Sequence, residues 1–139
     1  MLARIIVCCA LTFAICVQAV AAEKEYVKLY NQGVAANKKG DLDEAIRCYS
    51  KAISLKPDSY ALFFVRGRAY REKDQYDNAI SDLSCAISLK PDFAEAYNHR
   101  GVTYIGKGDR QKAVADFSKA CGLGSKDGCA NVSKLKGEK

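Results

Sequence analysis

The feature that most constrains this 139-residue chain is a pattern that occurs three times at one fixed spacing. The middle copy carries a set order of aromatic, small and apolar positions: Phe63, Gly67, Tyr70, Ala79, Leu83, Ala86 and Pro91. The corresponding positions of the earlier copy hold Leu29, Gly33, Ala36, Ala45, Tyr49, Ala52 and Pro57. Those of the later copy hold Tyr97, Gly101, Tyr104, Ala113, Phe117, Ala120 and Ser125. Such a period indicates stacked units, because one unit of this size cannot bury its apolar face alone.

Each copy of the pattern predicts two helices joined by a turn. Glycine costs about 1 kcal/mol in a helix interior relative to alanine, so a recurring glycine indicates a close contact with another helix. The steps between Ala45, Tyr49 and Ala52 place these three side chains on one face of a second helix. Pro57 and Pro91 are expected to end that helix, since proline cannot continue its hydrogen-bond ladder.

The repeated positions resemble the tetratricopeptide repeat (TPR), a helix–turn–helix unit. We assign three units, at 26–59, 60–93 and 94–127. The resemblance implies an all-α fold in which the units form a right-handed α-α superhelix. After the third unit, Cys129, Val132 and Leu135 recur at helical spacing, which predicts a short capping helix from about 127 to 136.

The first 22 residues have the order of features found in a signal peptide. Arg4 supplies a positive start, residues 5–17 form an apolar run, and residues 19–21 give the small-x-small pattern of a cleavage site. We therefore expect residues 23–139 to form the exported TPR domain, in a periplasm or secreted beyond it.

Two alternatives to cleavage stay open for this segment. It could remain as a membrane anchor, although the run is short for a bilayer about 30 Å thick and Gln18 interrupts it. A lipid anchor on Cys16 is disfavoured, because the bulky Ile15 stands where lipoproteins carry a small residue. A membrane is thus a partner only if the segment is uncleaved.

The composition argues against nucleic-acid binding and against catalysis. The formal charge of +6 falls to +5 without residues 1–22, and the basic residues are scattered, which favours solubility over a nucleic-acid surface. His99 is the only histidine, no CxxC pair occurs, and Cys48 lies two units away from His99. The sequence predicts no metal site, no cofactor and no enzyme.

Four cysteines follow the predicted signal peptide, and two of them flank one turn. The spacing of Cys121 and Cys129 is similar to that of bridged pairs in Sel1-like repeat proteins, which are extracytoplasmic relatives of TPR arrays. The likeness rests on Ala120-Cys121, Leu123-Gly124 and Gly128-Cys129. It implies a disulfide; the alternative is two small residues that pack a helix end. Cys48 and Cys85 are interpreted as buried or half-buried thiols.

The TPR resemblance implies that the first helix of each unit lines a concave groove. The corresponding positions are Tyr30, Asn31, Val34, Asn37, Lys38, Phe64, Val65, Arg68, Arg71, Asn98, His99, Val102 and Ile105. Apolar members of this set predict a binding surface, and its basic members predict a peptide or protein ligand with acidic residues. Alternatively, these are ordinary exposed positions, or the C-terminal helix fills the groove.

The resemblance also allows one class of partner to be judged. Chaperone-binding TPR proteins hold a C-terminal carboxylate with a clamp of Lys, Asn and Arg. The matching positions here are Tyr30, Val34, Val65, Glu95 and His99, so the clamp is absent. We predict an exported adaptor that binds a peptide or protein segment. The alternative is an envelope-associated enzyme or enzyme inhibitor of the Sel1-like type.

Overall fold

Residues 2–137 form seven helices and no strand. The computed structural model describes the backbone of these residues, and the side chains of residue 18 and of residues 21–137. The helices are α1 Leu2–Lys38, α2 Leu42–Leu55, α3 Tyr60–Glu72, α4 Tyr76–Leu89, α5 Ala94–Lys107, α6 Arg110–Gly122 and α7 Lys126–Gly137. The predicted all-α class is confirmed.

The helices pack as neighbours in chain order. The extensive contacts within units join α1 to α2, α3 to α4 and α5 to α6, and the units stack through α2 against α3 and α4 against α5. Helix α7 packs on α6 at the end of the array. This is the predicted superhelix of three helical pairs, and α7 is the predicted capping helix.

Local signals set where the second helices begin and end. The carboxylate of Asp41 accepts a hydrogen bond from the backbone N–H of Glu44 at 3.0 Å, which caps the start of α2. Helices α2 and α4 each end two residues before a proline, at Pro57 and Pro91. The expected helix breaks are therefore confirmed.

The recurring glycines lie where the two helices of one unit come closest. A Cβ atom on Gly33 would lie 2.5 Å from Cε1 of Tyr49, and one on Gly67 would lie 3.1 Å from Cγ of Leu83. The third unit repeats the contact with the ring of Phe117, at 2.6 Å. A Cβ would overlap the aromatic ring in the first and third units, and in the second unit it would require Leu83 to shift slightly, which confirms the packing reason for the glycines.

A buried ion pair ties each later unit to the unit before it. Nε and Nη2 of Arg66 donate to the two carboxylate oxygens of Asp82 at 2.7 and 2.8 Å, while Nη1 donates to Oγ of Ser50 in the preceding unit at 3.0 Å. Asp82 is only 5% exposed. The same arrangement recurs one unit later, in Arg100, Asp116 and Ser84. These pairs fix how one unit sits on the next, because the forked geometry allows little slippage.

Helix α7 is joined covalently to α6. Cys121 and Cys129 form a disulfide with their Cα atoms 4.5 Å apart. Gly128 allows this approach, because a Cβ there would lie 2.9 Å from the backbone nitrogen of Cys121. Closing so short a loop contributes on the order of 2–3 kcal/mol in the chain-entropy model. Among the described side chains, the free thiols are Cys48, which is buried, and Cys85, which is half-buried, as expected.

Helix α1 continues without a break across the predicted cleavage boundary at residue 22. Just past that boundary, Lys56 Nζ pairs with Glu23 at 3.3 Å, which joins α1 to the end of α2. Among residues 21–137, whose side chains the structure describes, none of the helices combines the length and apolar character that crossing a bilayer requires. Cleavage of the segment stays a prediction.

The close contact at Gly67 generates a stability prediction. Gly67→Leu should overpack the α3–α4 contact and lower the free energy of unfolding by about 1–3 kcal/mol or more. Gly122 is the matched control, since nothing lies within 4 Å of a Cβ built there. Urea denaturation of both leucine variants measures the difference. Equal midpoints for the two variants would contradict the α3–α4 packing.

Candidate functional site

A cavity of about 320 Å³ opens on the concave side where α1, α2 and α3 meet. We call it the N-terminal cavity. Six of its seven lining residues belong to the set predicted for the groove: Tyr30, Val34, Asn37, Lys38, Val65 and Arg68. The seventh is Tyr49, and burial raises the pKa of its phenol to about 12, so the ring stays neutral. The lining combines apolar walls with two cations and contains no carboxylate.

The middle of the predicted groove is an aromatic and basic cluster. The ring of Phe64 lies between Phe93 and His99, with centroid distances of 4.8 and 5.2 Å. Nη1 of Arg71 lies 2.9 Å from Nδ1 of His99. A guanidinium can only donate, so Nδ1 must accept and the imidazole must be neutral. Burial, followed by the charges of Arg71 and Arg68, lowers the pKa of His99 to about 4.

A second cavity, of about 230 Å³, lies between α5 and α7, and we call it the C-terminal cavity. Its lining is mostly apolar: Val102, Ile105, Phe117, Asn131, Lys134 and Leu135. Val102 and Ile105 are 37% and 41% exposed. Nδ2 of Asn131 donates to Oδ1 of Asn98 at 2.9 Å, so α7 covers part of the third unit. The alternative that the C-terminal helix fills the groove therefore holds for this unit in part.

Most of the apolar side chains predicted to line the groove are more buried than the sequence indicated. Val102 and Ile105 are exposed, but Tyr30, Phe64 and Val65 are half-buried. Neighbouring aromatic rings cover two of them: Tyr49 contacts Tyr30, and Phe93 covers Phe64. Asn31 is exposed and lines neither of the two cavities.

Some residues that line the two cavities were not predicted from the sequence, because they lie outside the first helix of each unit. Tyr49 and Phe117 occupy the same repeat position, which the pattern assigned to the core. Both do pack against a glycine, and both also reach a cavity. The aromatic residue at this repeat position is the sequence signal that could have predicted their place in a cavity lining, because only a long ring extends past the glycine. Asn131, Lys134 and Leu135 depend on how α7 docks, which the repeat does not encode.

The side chains considered for catalysis have structural partners. The buried Cys48 thiol donates to Oε1 of Glu44 at 3.3 Å, and burial raises its pKa, which favours the less reactive thiol form. His99 contacts Arg71 and Phe64 instead of a nucleophile. Within the described side chains, no three His, Cys, Asp or Glu residues are grouped to hold a metal ion.

Comparison with known families matches all three units. Family models described as tetratricopeptide repeat match residues 27–59 and 94–125, and a model described as TPR repeat matches residues 67–108. No curated protein matches the sequence significantly.

Several solved structures share the fold over most of the chain. The first TPR of Spaghetti (RPAP3), bound to the HSP90 peptide SRMEEVD, is 25% identical with a TM-score of 0.77, covering 82% of this chain and 92% of that one. The second TPR domain of human RPAP3, in complex with the HSP70 peptide SGPTIEEVD, is 26% identical with a TM-score of 0.77, covering 83% and 98%. MamA protein is 31% identical with a TM-score of 0.69, covering 71% of this chain and 54% of MamA.

The neutral state of His99 generates a pH prediction. Its pKa of about 4 in the folded protein lies below the ordinary value of 6.5, so the unfolded chain takes up the proton first. Stability should therefore fall as the pH falls, by about 2 kcal/mol between about pH 7 and about pH 5. Urea unfolding at both pH values measures the change.

His99→Gln is the control for this prediction, because glutamine keeps an acceptor for Arg71 and does not titrate. Since His99 is the only histidine, this variant should lose most of the pH dependence in that window. An imidazole midpoint near the ordinary value, measured by NMR, would contradict the buried and neutral assignment.

Proposed function

Since this chain belongs to the tetratricopeptide repeat family, we propose that it is an exported adaptor that binds a protein segment in its concave groove. The N-terminal cavity is the observation that carries the proposal. It gathers six predicted groove residues from two units around about 320 Å³ of open space. Concave sites with apolar walls and a few polar groups are typical of ligand binding.

The chemistry of the groove favours a ligand with apolar and acidic residues. Val102 and Ile105 offer exposed apolar contacts at the C-terminal cavity, and Lys38, Arg68 and Arg71 supply positive charge nearer the N-terminal cavity. Apolar anchors would provide most of the affinity, while the cations would speed association and make it sensitive to salt. A groove of three units is small, so we expect micromolar affinity, on the order of 8 kcal/mol.

The structural neighbours support a peptide ligand but not a particular partner. The two RPAP3 domains bind peptides that end in EEVD. In this chain, three of the positions that match the chaperone clamp hold Val34, Val65 and Glu95. At these clamp positions, two apolar side chains and a carboxylate cannot hold the C-terminal carboxylate of a chaperone tail as Lys, Asn and Arg do. We therefore propose a partner outside the chaperone-tail class.

The location is proposed from the N-terminal segment. Its order of charge, apolar run and small residues favours export to a periplasm or beyond. The disulfide between Cys121 and Cys129 is compatible with an oxidising compartment. Its spacing also resembles the bridged pairs of Sel1-like proteins. That resemblance supports the alternative function, an envelope enzyme or enzyme inhibitor. A screen for hydrolase activity, run beside a pull-down from envelope extract, would distinguish this alternative from an adaptor.

The proposed groove can be tested with a peptide selected from a displayed random library against the immobilised protein. Ile105→Ser should weaken binding of that peptide by over 1 kcal/mol, roughly fivefold or more, because it removes an exposed apolar contact. Fluorescence anisotropy with the labelled peptide measures the dissociation constant.

Leu89→Ser is the matched control for Ile105→Ser. Leu89 is 44% exposed against 41% for Ile105, but it ends α4, a second helix that the groove does not use. Both variants should keep the helical circular-dichroism spectrum. Failure to select any peptide, or equal weakening by both substitutions, would count against the groove.

A further inference from the structure

Arg68 is a half-buried cation that lacks a hydrogen-bonded anionic partner among the described side chains. Its Nε is fully enclosed and makes no hydrogen bond. The guanidinium carbon lies 5.8 Å from the ring centroid of Phe64, and the two Nη groups make no hydrogen bond to the described residues. Enclosed donors in proteins nearly always have an acceptor, so an unsatisfied one needs an explanation.

Two other arginines, one on α3 and one on α5, have a carboxylate partner. Arg66 and Arg100 are also half-buried, and each donates two hydrogen bonds to a buried carboxylate, of Asp82 and Asp116 respectively. Within residues 21–137, no carboxylate accepts hydrogen bonds from Arg68 in this way. Glu72, the acidic residue of the same helix, is exposed to solvent.

Two further cations lie near Arg68. Arg71 is hydrogen-bonded to the neutral His99, and its pKa is lowered by burial and then by the positive charge of Arg68, which the exposed Glu72 offsets in part. Lys38 shares the lining of the N-terminal cavity with Arg68, as does the amide of Asn37. The repulsion among these positive charges is not offset by any acidic side chain of the cavity lining.

We propose that the N-terminal cavity binds a carboxylate of the ligand segment, held by the guanidinium of Arg68 beside Lys38 and Asn37. This inference rests on the proposed peptide-binding function and names the chemical group recognised at one end of the groove. Guanidinium and carboxylate match as a planar pair, and a charge-assisted pair of hydrogen bonds is stronger than a neutral one. The carboxylate would accept hydrogen bonds from the terminal Nη groups of Arg68, which are not enclosed as Nε is, and would reduce the repulsion among the cations.

This site differs from the chaperone clamp in which positions supply the charge. Of the clamp positions, Tyr30, Val34 and Val65 form uncharged walls of the N-terminal cavity. The positive charge comes instead from Lys38 at the end of α1 and from Arg68 on α3. A ligand carboxylate would therefore lie toward the C-terminal end of α1, where the two cations approach the same cavity.

The test uses small carboxylates as probes of the full protein, so it does not depend on a peptide sequence. N-acetylglycine presents the carboxylate of a peptide C-terminus, and N-acetylglutamic acid α-amide presents that of an acidic side chain. N-acetylglutamine amide with equimolar sodium chloride is the neutral control. NMR titrations should show saturable shifts of the Arg68 side-chain N–H signal, with dissociation constants in about the millimolar range. Comparing the two acids distinguishes an end-binding site from an internal one.

Charge-conserving variants separate this site from general attraction. Arg68→Lys keeps the charge but loses the planar fork, and should weaken carboxylate binding about tenfold. Because this variant has no Arg68 signal, binding is compared through the backbone amide shifts of Val34 and Val65, which line the same cavity. Arg47→Lys is the matched control, because Arg47 is an exposed arginine of α2 paired with Glu44, and it should leave binding unchanged.

The outcomes separate this inference from the proposed function. Absence of saturable shifts, equal shifts with the neutral control, or equal effects of the two lysine variants would overturn the carboxylate site. In that case a library-selected peptide sensitive to Ile105→Ser would still support the groove. Insensitivity of the peptide to Ile105→Ser would count against the groove, whatever the small carboxylates do.

Discussion

The close approach of two helices at a glycine is the contact on which the rest of this structure depends. Gly67 lies against Leu83, and the other units place an aromatic ring at the same point. This contact closes each helical pair but leaves the pair's outer face apolar, so the next unit must cover it. The paired charges of Arg66 and Asp82, bound to Ser50 of the previous unit, then fix how the units stack. Burial drives the stacking, and the ion pairs give it a defined geometry.

Stacking in this order determines where a binding surface can exist. It sets α1, α3 and α5 side by side, so side chains from different units line common cavities. The third unit differs because α7 occupies the position where another unit would begin, held by the disulfide and by the hydrogen bond between Asn131 and Asn98. The groove is therefore charged at its N-terminal end and apolar at its C-terminal end. An asymmetric surface of this kind favours one direction of a bound segment over the other.

Structural features that depend on the repeat period could be predicted from the sequence. Contacts between single side chains of different units could not. The helical pairs, the glycine contacts, the ends of α2 and α4 and the capping helix all follow from repeated positions or helical spacing. The contacts of Phe64 with Phe93 and of Arg71 with His99 join non-repeated side chains, so no periodic signal marks them. The stacking ion pairs are a different case, because their arginine, aspartate and serine recur at the spacing of the repeat, so the sequence does carry a signal for them.

The proposed binding surface is the concave face formed by α1, α3 and α5. Chemical-shift mapping of the ¹⁵N-labelled protein with a library-selected peptide is the sharpest test, because all the described helices are observed at once. The largest amide shifts should fall on these three helices, around Val65 and Ile105, with small shifts on α4. Shifts concentrated on the outer faces of α2, α4 and α6 would place the ligand elsewhere and would rule out this surface.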